Sequence, residues 1–83
     1  MVVHLGDDVV IRTCDIVMLL DLTGVDAPDT HAFLQSAQDG GIVRRVSADP
    51  PKTAVLTQTR AGRMLYLSPI SSVTLSRRAD FPE

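Results

Sequence analysis

The stretch Met64-Leu-Tyr-Leu-Ser-Pro-Ile-Ser-Ser-Val-Thr-Leu-Ser-Arg-Arg78 predicts a strand that turns directly into a short helix. Residues 64–67 are apolar and include a tyrosine, which suits a half-buried pleated surface. Ser68 offers a side-chain oxygen for a helix N-cap, and Pro69 suits the first helical position, where its missing N–H costs nothing. We therefore expect a helix over residues 69–78, with both arginines in its last turn, where cations complement the helix dipole.

The length of 83 residues predicts a single domain with a small core. A chain of this size buries only about 60–65% of its extended surface, so a lone monomer is expected to be marginally stable. Cys14 is the one cysteine, which excludes an internal disulfide. No Cys/His spacing indicates structural zinc, so self-association is the remaining common source of extra buried area.

Charge is divided unevenly between the two halves of the chain. The net charge is −2, yet residues 1–41 carry one arginine against seven aspartates, and residues 42–83 carry seven basic residues against three acidic ones. Such asymmetry favours one basic face, which can bind a polyanion even when the whole chain is acidic. Two solvated surfaces of opposite charge are the alternative interpretation.

Hydrophobic patterning predicts the element order βββαβββα, that is, an α+β domain with a mostly antiparallel sheet. The expected strands are residues 1–5, 9–12, 16–22, 42–47, 52–57 and 64–67, and the expected helices are residues 27–38 and 69–78. The domain is expected to span residues 1–78, and residues 79–83 to form a frayed tail.

Several local patterns refine this string. The third strand is apolar on both faces, so we expect it to be buried twice, under a helix and a second sheet or in a subunit contact. In the first helix Asp26 is the expected N-cap, Phe33, Leu34 and Ala37 the core face, and Gly40-Gly41 the terminator.

The connections carry their own turn signals. Gly6-Asp7-Asp8 predicts a hairpin turn, Asp49-Pro50-Pro51 a fixed turn, and residues 58–63 a polar loop. Arg44 and Arg45 are expected on opposite faces of the fourth strand, because strand side chains alternate.

Catalytic chemistry is not concentrated anywhere in the sequence. His4 and His31 fall on different elements without ligand spacing, and Cys14 beside Asp15 lacks a cationic partner, so we expect it to be a buried or half-buried small residue. We therefore predict no enzyme, no metal, no cofactor and no small-molecule substrate. A ligand pocket built from His4 and the Asp7-Asp8 pair is the alternative.

Targeting signals are equally sparse. The longest apolar run, residues 16–20, is far shorter than the ~20 residues that span a bilayer, and no basic segment precedes an apolar one at the N-terminus. We expect a cytoplasmic protein that does not bind membrane.

The remaining candidates are the basic residues of the second half. Arginine and lysine at strand ends and loops can reach phosphates without a helix entering a groove. No aromatic residues are interleaved with them, which argues against single-strand stacking. We expect duplex DNA as the partner, contacted by Arg44, Arg45, Lys52, Arg60, Arg63, Arg77 and Arg78.

Four segments together resemble a known family. They are His4-Leu-Gly-Asp-Asp-Val-Val10, Asp15-Ile-Val17, Lys52-Thr-Ala-Val-Leu-Thr57 and Tyr66-Leu-Ser-Pro-Ile-Ser-Ser-Val-Thr-Leu75. In this combination, over residues 1–78, the chain resembles the RemA/RemB extracellular matrix regulators, and is closer to the RemB branch.

The resemblance implies a bacterial transcription regulator of biofilm genes with a LytTR-related fold, working as a nucleoid-associated, homo-oligomeric ring that binds DNA. A ring repeats one heterologous contact until it closes and multiplies weak phosphate contacts. The chain departs from the RemA branch where that branch has a run of arginines, since only Lys52 follows Asp49-Pro50-Pro51, and where Asp15 replaces an arginine. A ring that acts as a scaffold for a protein partner, rather than binding DNA, is the alternative.

Overall fold

The computed structural model describes residues 1–23 and 28–79, without the side chains of residues 28–31 and 33. The element order is βββαβββα, as predicted. The strands are β1 (Val2–Gly6), β2 (Val9–Arg12), β3 (Ile16–Asp21), β4 (Val43–Arg45), β5 (Thr53–Thr59) and β6 (Gly62–Ser68), and the helices are α1 (Pro28–Asp39) and α2 (Ser72–Ala79). No helix in the described ranges is long and apolar enough to cross a membrane.

The strands form a two-stranded hairpin, β1–β2, and a four-stranded sheet in the order β3-β5-β6-β4. Neighbouring strands are antiparallel except for β4, which runs parallel to β6. The predicted α+β class with a mostly antiparallel sheet is therefore confirmed. Because β3 and β4 both run in the direction of β6, the two edge strands of the sheet point the same way.

Aliphatic side chains cover both faces of the four-stranded sheet. On one face the hairpin and α2 enclose a cluster that includes Val3, Leu5, Val55 and Leu75. On the other face, where α1 lies, Ala37 and Leu65 belong to the second cluster. The sheet is the middle layer, which explains why β5 is buried along most of its length.

Helix α1 ends in a Schellman motif, as the glycine pair predicted. Gly41 has φ +72°, its N–H donates to the Gln38 carbonyl (3.0 Å), and the Ile42 N–H donates to the Ala37 carbonyl (3.2 Å). Leu34 and Ala37 pack in the core as expected. The predicted N-cap Asp26 and the side chain of Phe33 lie outside the described part of the chain.

The corner between β6 and α2 differs from its prediction. Ser68 still belongs to β6, and its hydroxyl donates to the buried Leu5 carbonyl and accepts the Ile70 N–H (3.2 Å), so it does not cap the helix. The helix starts at residue 72 instead, with Ser71 accepting the Thr74 N–H (3.3 Å) in the N-cap geometry. The wrong prediction for Ser68 and Pro69 arose because two serines three residues apart offer the same capping chemistry.

This corner is pinned to its surroundings on two sides. The Thr53 hydroxyl donates to the Ile70 carbonyl (2.8 Å), and Thr53 is fully buried. A Cβ on Gly6, which has φ +128°, would lie 3.3 Å from both Pro69 and Val46. The hairpin end therefore packs directly on the corner, where little room is left.

The predicted polar loop over residues 58–63 is wrong in extent. Gln58 pairs with Arg63 and Thr59 with Gly62, which leaves only Arg60 and Ala61 in the turn. Polar residues occur here within strands because this end of the sheet extends beyond the core into solvent. The fourth strand is likewise shorter than expected, at Val43–Arg45.

Strand β3 meets its prediction only in part. Leu19 packs on the hairpin side of the sheet and Leu20 on the α1 side, so both faces are apolar. Yet β3 is an edge strand, and Val17 and Met18 stay 62% and 38% exposed, so one chain does not bury it twice. The register shift between Ile16 and Met18 marks a bulge at Val17.

Two smaller expectations also change. Cys14 is exposed in a single turn of 3₁₀ helix over Thr13–Asp15, rather than buried or half-buried, because this turn lies outside both clusters. Ala79, assigned to the tail, is the last residue of α2 and is 3% exposed. Its burial beside Leu75 follows from the four-residue spacing of one helix face.

Candidate nucleic-acid interface

All seven basic residues singled out from the sequence have exposed side chains. The salt bridge found in the described ranges joins Arg12 to Asp15, so none of the seven is paired with a carboxylate there. Their guanidinium and ammonium groups are available to a polyanion. They do not, however, form one continuous patch within one chain.

Two of these residues belong to the free edge of the sheet. Arg44 pairs in register with Tyr66, whose side chain packs on the hairpin side, and Arg45 pairs with Leu67, which packs on the α1 side. Their predicted placement on opposite faces is therefore confirmed. A single DNA surface cannot contact both from the same side of the sheet.

The β5–β6 turn carries a second pair. Arg60 lies in the two-residue turn, and Arg63 lies on β6, where its Nε donates to Gln58 Oε1 (3.0 Å). This hydrogen bond holds the Arg63 side chain against β5 without neutralising its charge. The turn lies at the end of the sheet, so two exposed cations are presented there.

Lys52 lies at the end of β5 that is opposite to the β5–β6 turn. It immediately precedes β5, and its carbonyl accepts the Leu22 N–H (2.9 Å). At about 3.3 Å per residue, it is roughly 26 Å along the strand from Arg60. These two residues therefore serve different surfaces of one subunit.

The last turn of α2 supplies the third pair. Arg77 and Arg78 are both exposed, and the Arg78 guanidinium donates to the His4 carbonyl (3.3 Å). This contact anchors the helix end on the hairpin strand β1. The His4 side chain is itself exposed, so this region carries two arginines and one imidazole.

Two acidic residues of the first half, Asp15 and Asp21, are held by local contacts. Arg12 binds Asp15 with two hydrogen bonds (2.9 and 3.1 Å), which raises the pKa of the arginine. The Thr23 hydroxyl and N–H both bond Asp21 Oδ1 (2.7 and 2.9 Å) and lower the pKa of that carboxyl. Asp21 is therefore firmly anionic, and it lies at the end of the edge strand β3.

The alternative ligand pocket gains no support from the geometry. Asp7 adopts φ 44° in the hairpin turn, and Asp7, Asp8 and His4 are all exposed. Among the side chains that the structure describes (residues 1–23, 32 and 34–79), no three of His, Cys, Asp or Glu lie where they could hold one metal ion. The concave sites found there are open surface grooves rather than enclosed cavities.

Sequence reasoning missed one structural feature, the two edges of the four-stranded sheet, which pair with no further strand in the described residues. The β3 edge carries Val17 and Met18, and the β4 edge carries the two arginines. The unbroken apolar run of the third strand was the available signal, but strand order is a tertiary property that this signal does not contain.

Comparison with known proteins identifies the family. No protein-family model matches the chain. The chain is 38% identical over 81 residues to extracellular matrix regulatory protein B of Bacillus subtilis (strain 168), covering 98% of this chain and 93% of that protein. The chain belongs to the RemA/RemB family. The resemblance drawn from the sequence is thereby confirmed, and the name of the Bacillus relative describes a regulator of extracellular matrix.

The match to the RemA/RemB relative also covers the uneven charge distribution of the chain. The match covers both the acidic first half and the basic second half, so the uneven charge lies within one homologous unit. The basic residues therefore lie within the part of the chain that matches the Bacillus protein, rather than in an appended tail.

Proposed function

We propose that this RemA/RemB protein is a cytoplasmic, nucleoid-associated transcriptional regulator of extracellular-matrix genes that binds duplex DNA as a homo-oligomeric ring with a LytTR-related fold. Family membership supports the regulatory role. The proposed mechanism is phosphate-dominated binding with little reading of base edges. It involves no catalysis and no cofactor.

The observation that carries the proposal is the set of seven exposed cations without carboxylate partners in the described part of the chain. A guanidinium already paired with a carboxylate has little to gain from a phosphate, whereas an unpaired one releases a condensed counterion from DNA. Phosphate contacts of this kind position a protein on a duplex but carry no sequence information.

The scattered placement of these cations supports an assembly rather than a monomer. One subunit presents pairs of cations at separate places, such as the β5–β6 turn and the end of α2. Two or three phosphate contacts bind DNA weakly at physiological salt. A ring repeats each pair at regular intervals, so that contacts which are weak singly act together through avidity.

The direct test measures DNA binding against salt concentration. A fluorescently labelled duplex is titrated with protein at salt concentrations from about 50 to 300 mM, and the logarithm of the affinity is plotted against that of the salt. We expect a steep linear fall whose slope counts the phosphates neutralised. Absent binding at low salt, or a flat salt response, contradicts the mechanism.

A matched pair of variants assigns the contact to a surface. Arg60→Gln with Arg63→Gln removes both charges of the β5–β6 turn and is expected to weaken DNA binding and reduce the salt slope. The control is Arg12→Gln with Asp15→Asn, which removes one charge of each sign from a pair that already neutralises itself. An equal loss of DNA affinity in both variants contradicts a role of the β5–β6 turn in DNA binding.

A second function is favoured by one observation. Val2 and Val10 are exposed at the outer side of the hairpin, at 56% and 43%. Exposed apolar side chains on one sheet face favour contact with another protein, as the ring-scaffold alternative requires. An oligomer that does not bind duplex DNA at low salt supports this function instead.

A further inference from the structure

The two free edges of the four-stranded sheet are complementary to each other. In the described residues, the main-chain ladder partner of β3 is β5, and that of β4 is β6. An exposed strand edge presents a row of unpaired N–H and C=O groups that can template another strand. Each chain therefore has two such templates, one on either side of the sheet.

Hydrogen bonds within the sheet show which residues face outward. The Leu22 N–H donates to the Lys52 carbonyl, and bonded pairs alternate along an antiparallel ladder, so Leu20 faces β5 while Leu19 and Asp21 direct their backbone groups outward. The same reasoning applies to β4. The Ile42 carbonyl and the Val46 N–H bond to β6, so the outward residues are Val43 and Arg45.

Residues that pair in register across the four strands form rows, and these rows match at the two edges of the sheet. Met18 shares a row with Leu56, Leu65 and Val43, and Leu20 shares a row with Ala54, Leu67 and Arg45. A β4 strand placed beside β3 with Val43 next to Met18 lets Arg45 bond between the Leu19 carbonyl and the Asp21 N–H. That arrangement is parallel, as the common direction of β3 and β4 requires, and it continues the rows without a register shift.

Side chains at the edges are complementary in the same register. Met18 and Val43 lie on the α1 side, so the contact covers apolar surface that one chain leaves 38% exposed at Met18. On the hairpin side, Arg44 comes beside Leu19 and diagonal to Asp21. An arginine reaches a carboxylate across such a diagonal, and opposite charges there are stabilising.

We propose that the β3 edge is the docking surface for the β4 edge of a second copy of this chain, with Met18 against Val43 and Asp21 diagonal to Arg44. This proposal rests on the oligomer of the proposed function and specifies its subunit contact. The contact is heterologous, because different surfaces of the two copies meet, and its repetition closes a ring when the rotation per subunit divides a full turn. It assigns Arg44 to the subunit contact and leaves Arg45 on the other face for DNA.

Pairings of like edges fit less well. Two β4 edges placed antiparallel bring the arginines of both copies together, and two β3 edges bring Asp21 near Asp15 of the other copy. Like charges that face each other across strands are destabilising. Charge complementarity therefore favours the β3–β4 contact.

Engineered disulfides test the contact directly. Within one subunit Met18 and Val43 are separated by three strand spacings of about 4.8 Å, or roughly 14 Å, which is too far for a disulfide. In a Cys14→Ser background, Met18→Cys with Val43→Cys is expected to give, on oxidation, a ladder of covalent multimers on a non-reducing gel. Each single-cysteine variant is expected to stay uncrosslinked.

Every outcome of this experiment decides something. Efficient dimers from Met18→Cys alone indicate a β3–β3 contact and overturn the proposal. A double variant that stays uncrosslinked while light scattering shows a multimer also overturns it, although the oligomer of the proposed function stands. A wild-type protein that scatters as a 9.0 kDa monomer overturns both.

A charge exchange tests the ion pair independently. Asp21→Arg and Arg44→Asp are each expected to shift the mass from multimer towards monomer, and the double variant to restore the multimer. Asp49→Arg, the same change at an exposed residue outside both edge strands, is expected to leave the mass unchanged. Single variants that retain the wild-type mass, or a double variant that does not recover it, contradict the pairing.

An edge variant covers the case in which these proteins fold poorly. Met18→Lys places a charge on the exposed apolar edge and is expected to weaken assembly while circular dichroism stays native. Val10→Lys, at a similarly exposed position on β2, serves as its control. Equal dissociation in both variants, or in neither, contradicts a specific role for the β3 edge.

Discussion

Substitution of Ser68 by alanine is expected to destabilise the fold more than loss of the helix cap. Ser68 is fully buried, and its hydroxyl serves both the Leu5 carbonyl and the Ile70 N–H. Alanine leaves a buried acceptor unsatisfied, which costs about 1–3 kcal/mol. Because about 1 kcal/mol shifts the Tm of a domain this size by roughly 4–8 °C, a loss of ~2 kcal/mol lowers the Tm by roughly 8–16 °C.

Thermal unfolding followed by circular dichroism measures this shift, at one fixed protein concentration because self-association makes Tm concentration-dependent. Ser71→Ala removes the true N-cap and is expected to cost ~1 kcal/mol. Ser76→Ala, a half-buried serine on the same helix, is the control and should change the Tm little. A Ser68→Ala shift no larger than that of Ser71→Ala refutes the assignment of Ser68 to the hairpin–sheet junction.

Three further outcomes are expected. Arg77→Gln with Arg78→Gln weakens duplex binding and lowers the salt slope, because two unpaired cations are lost; an unchanged slope contradicts a phosphate role. Gly41→Ala destabilises the fold by about 1 kcal/mol in denaturant unfolding, because φ +72° strains any residue with a Cβ; unchanged stability argues against the Schellman end. The contact between Asp21 and Thr23 stabilises the fold above the unfolded pKa of Asp21, and this stabilisation is lost as pH falls through the lowered folded pKa. Thr23→Ala is therefore expected to move the pKa of Asp21 upward towards 3.8 in an NMR titration. An unchanged pKa contradicts the Thr23 contact.

Much of the fold was predictable because its signals are local. The Gly40-Gly41 terminator, the Gly6-Asp7 turn and the apolar strands each depend on a few neighbouring residues, and the structure confirms them. The capping serine was not predictable in the same way. Ser68 and Ser71 both suit an N-cap, and the choice between them depends on Leu5, which is 63 residues away in sequence.

The candidate site shows the same division. Counting charges along the chain identified the seven cations, and their exposure needed no tertiary information beyond their preference for water. Their grouping did need it, since the end of α2 lies on β1 through the bond from Arg78 to the His4 carbonyl, 74 residues away in sequence.

By itself, then, the sequence determined which elements form, which residues are apolar or charged, and to which family the chain belongs. Only the tertiary structure decided that β3 and β4 are the edges of the sheet, and that they point the same way with matching rows. The physical reason is the sequence distance over which each kind of signal acts. Turn, cap and periodicity signals act over a few residues, whereas strand order and register result from packing two hydrophobic clusters against one sheet.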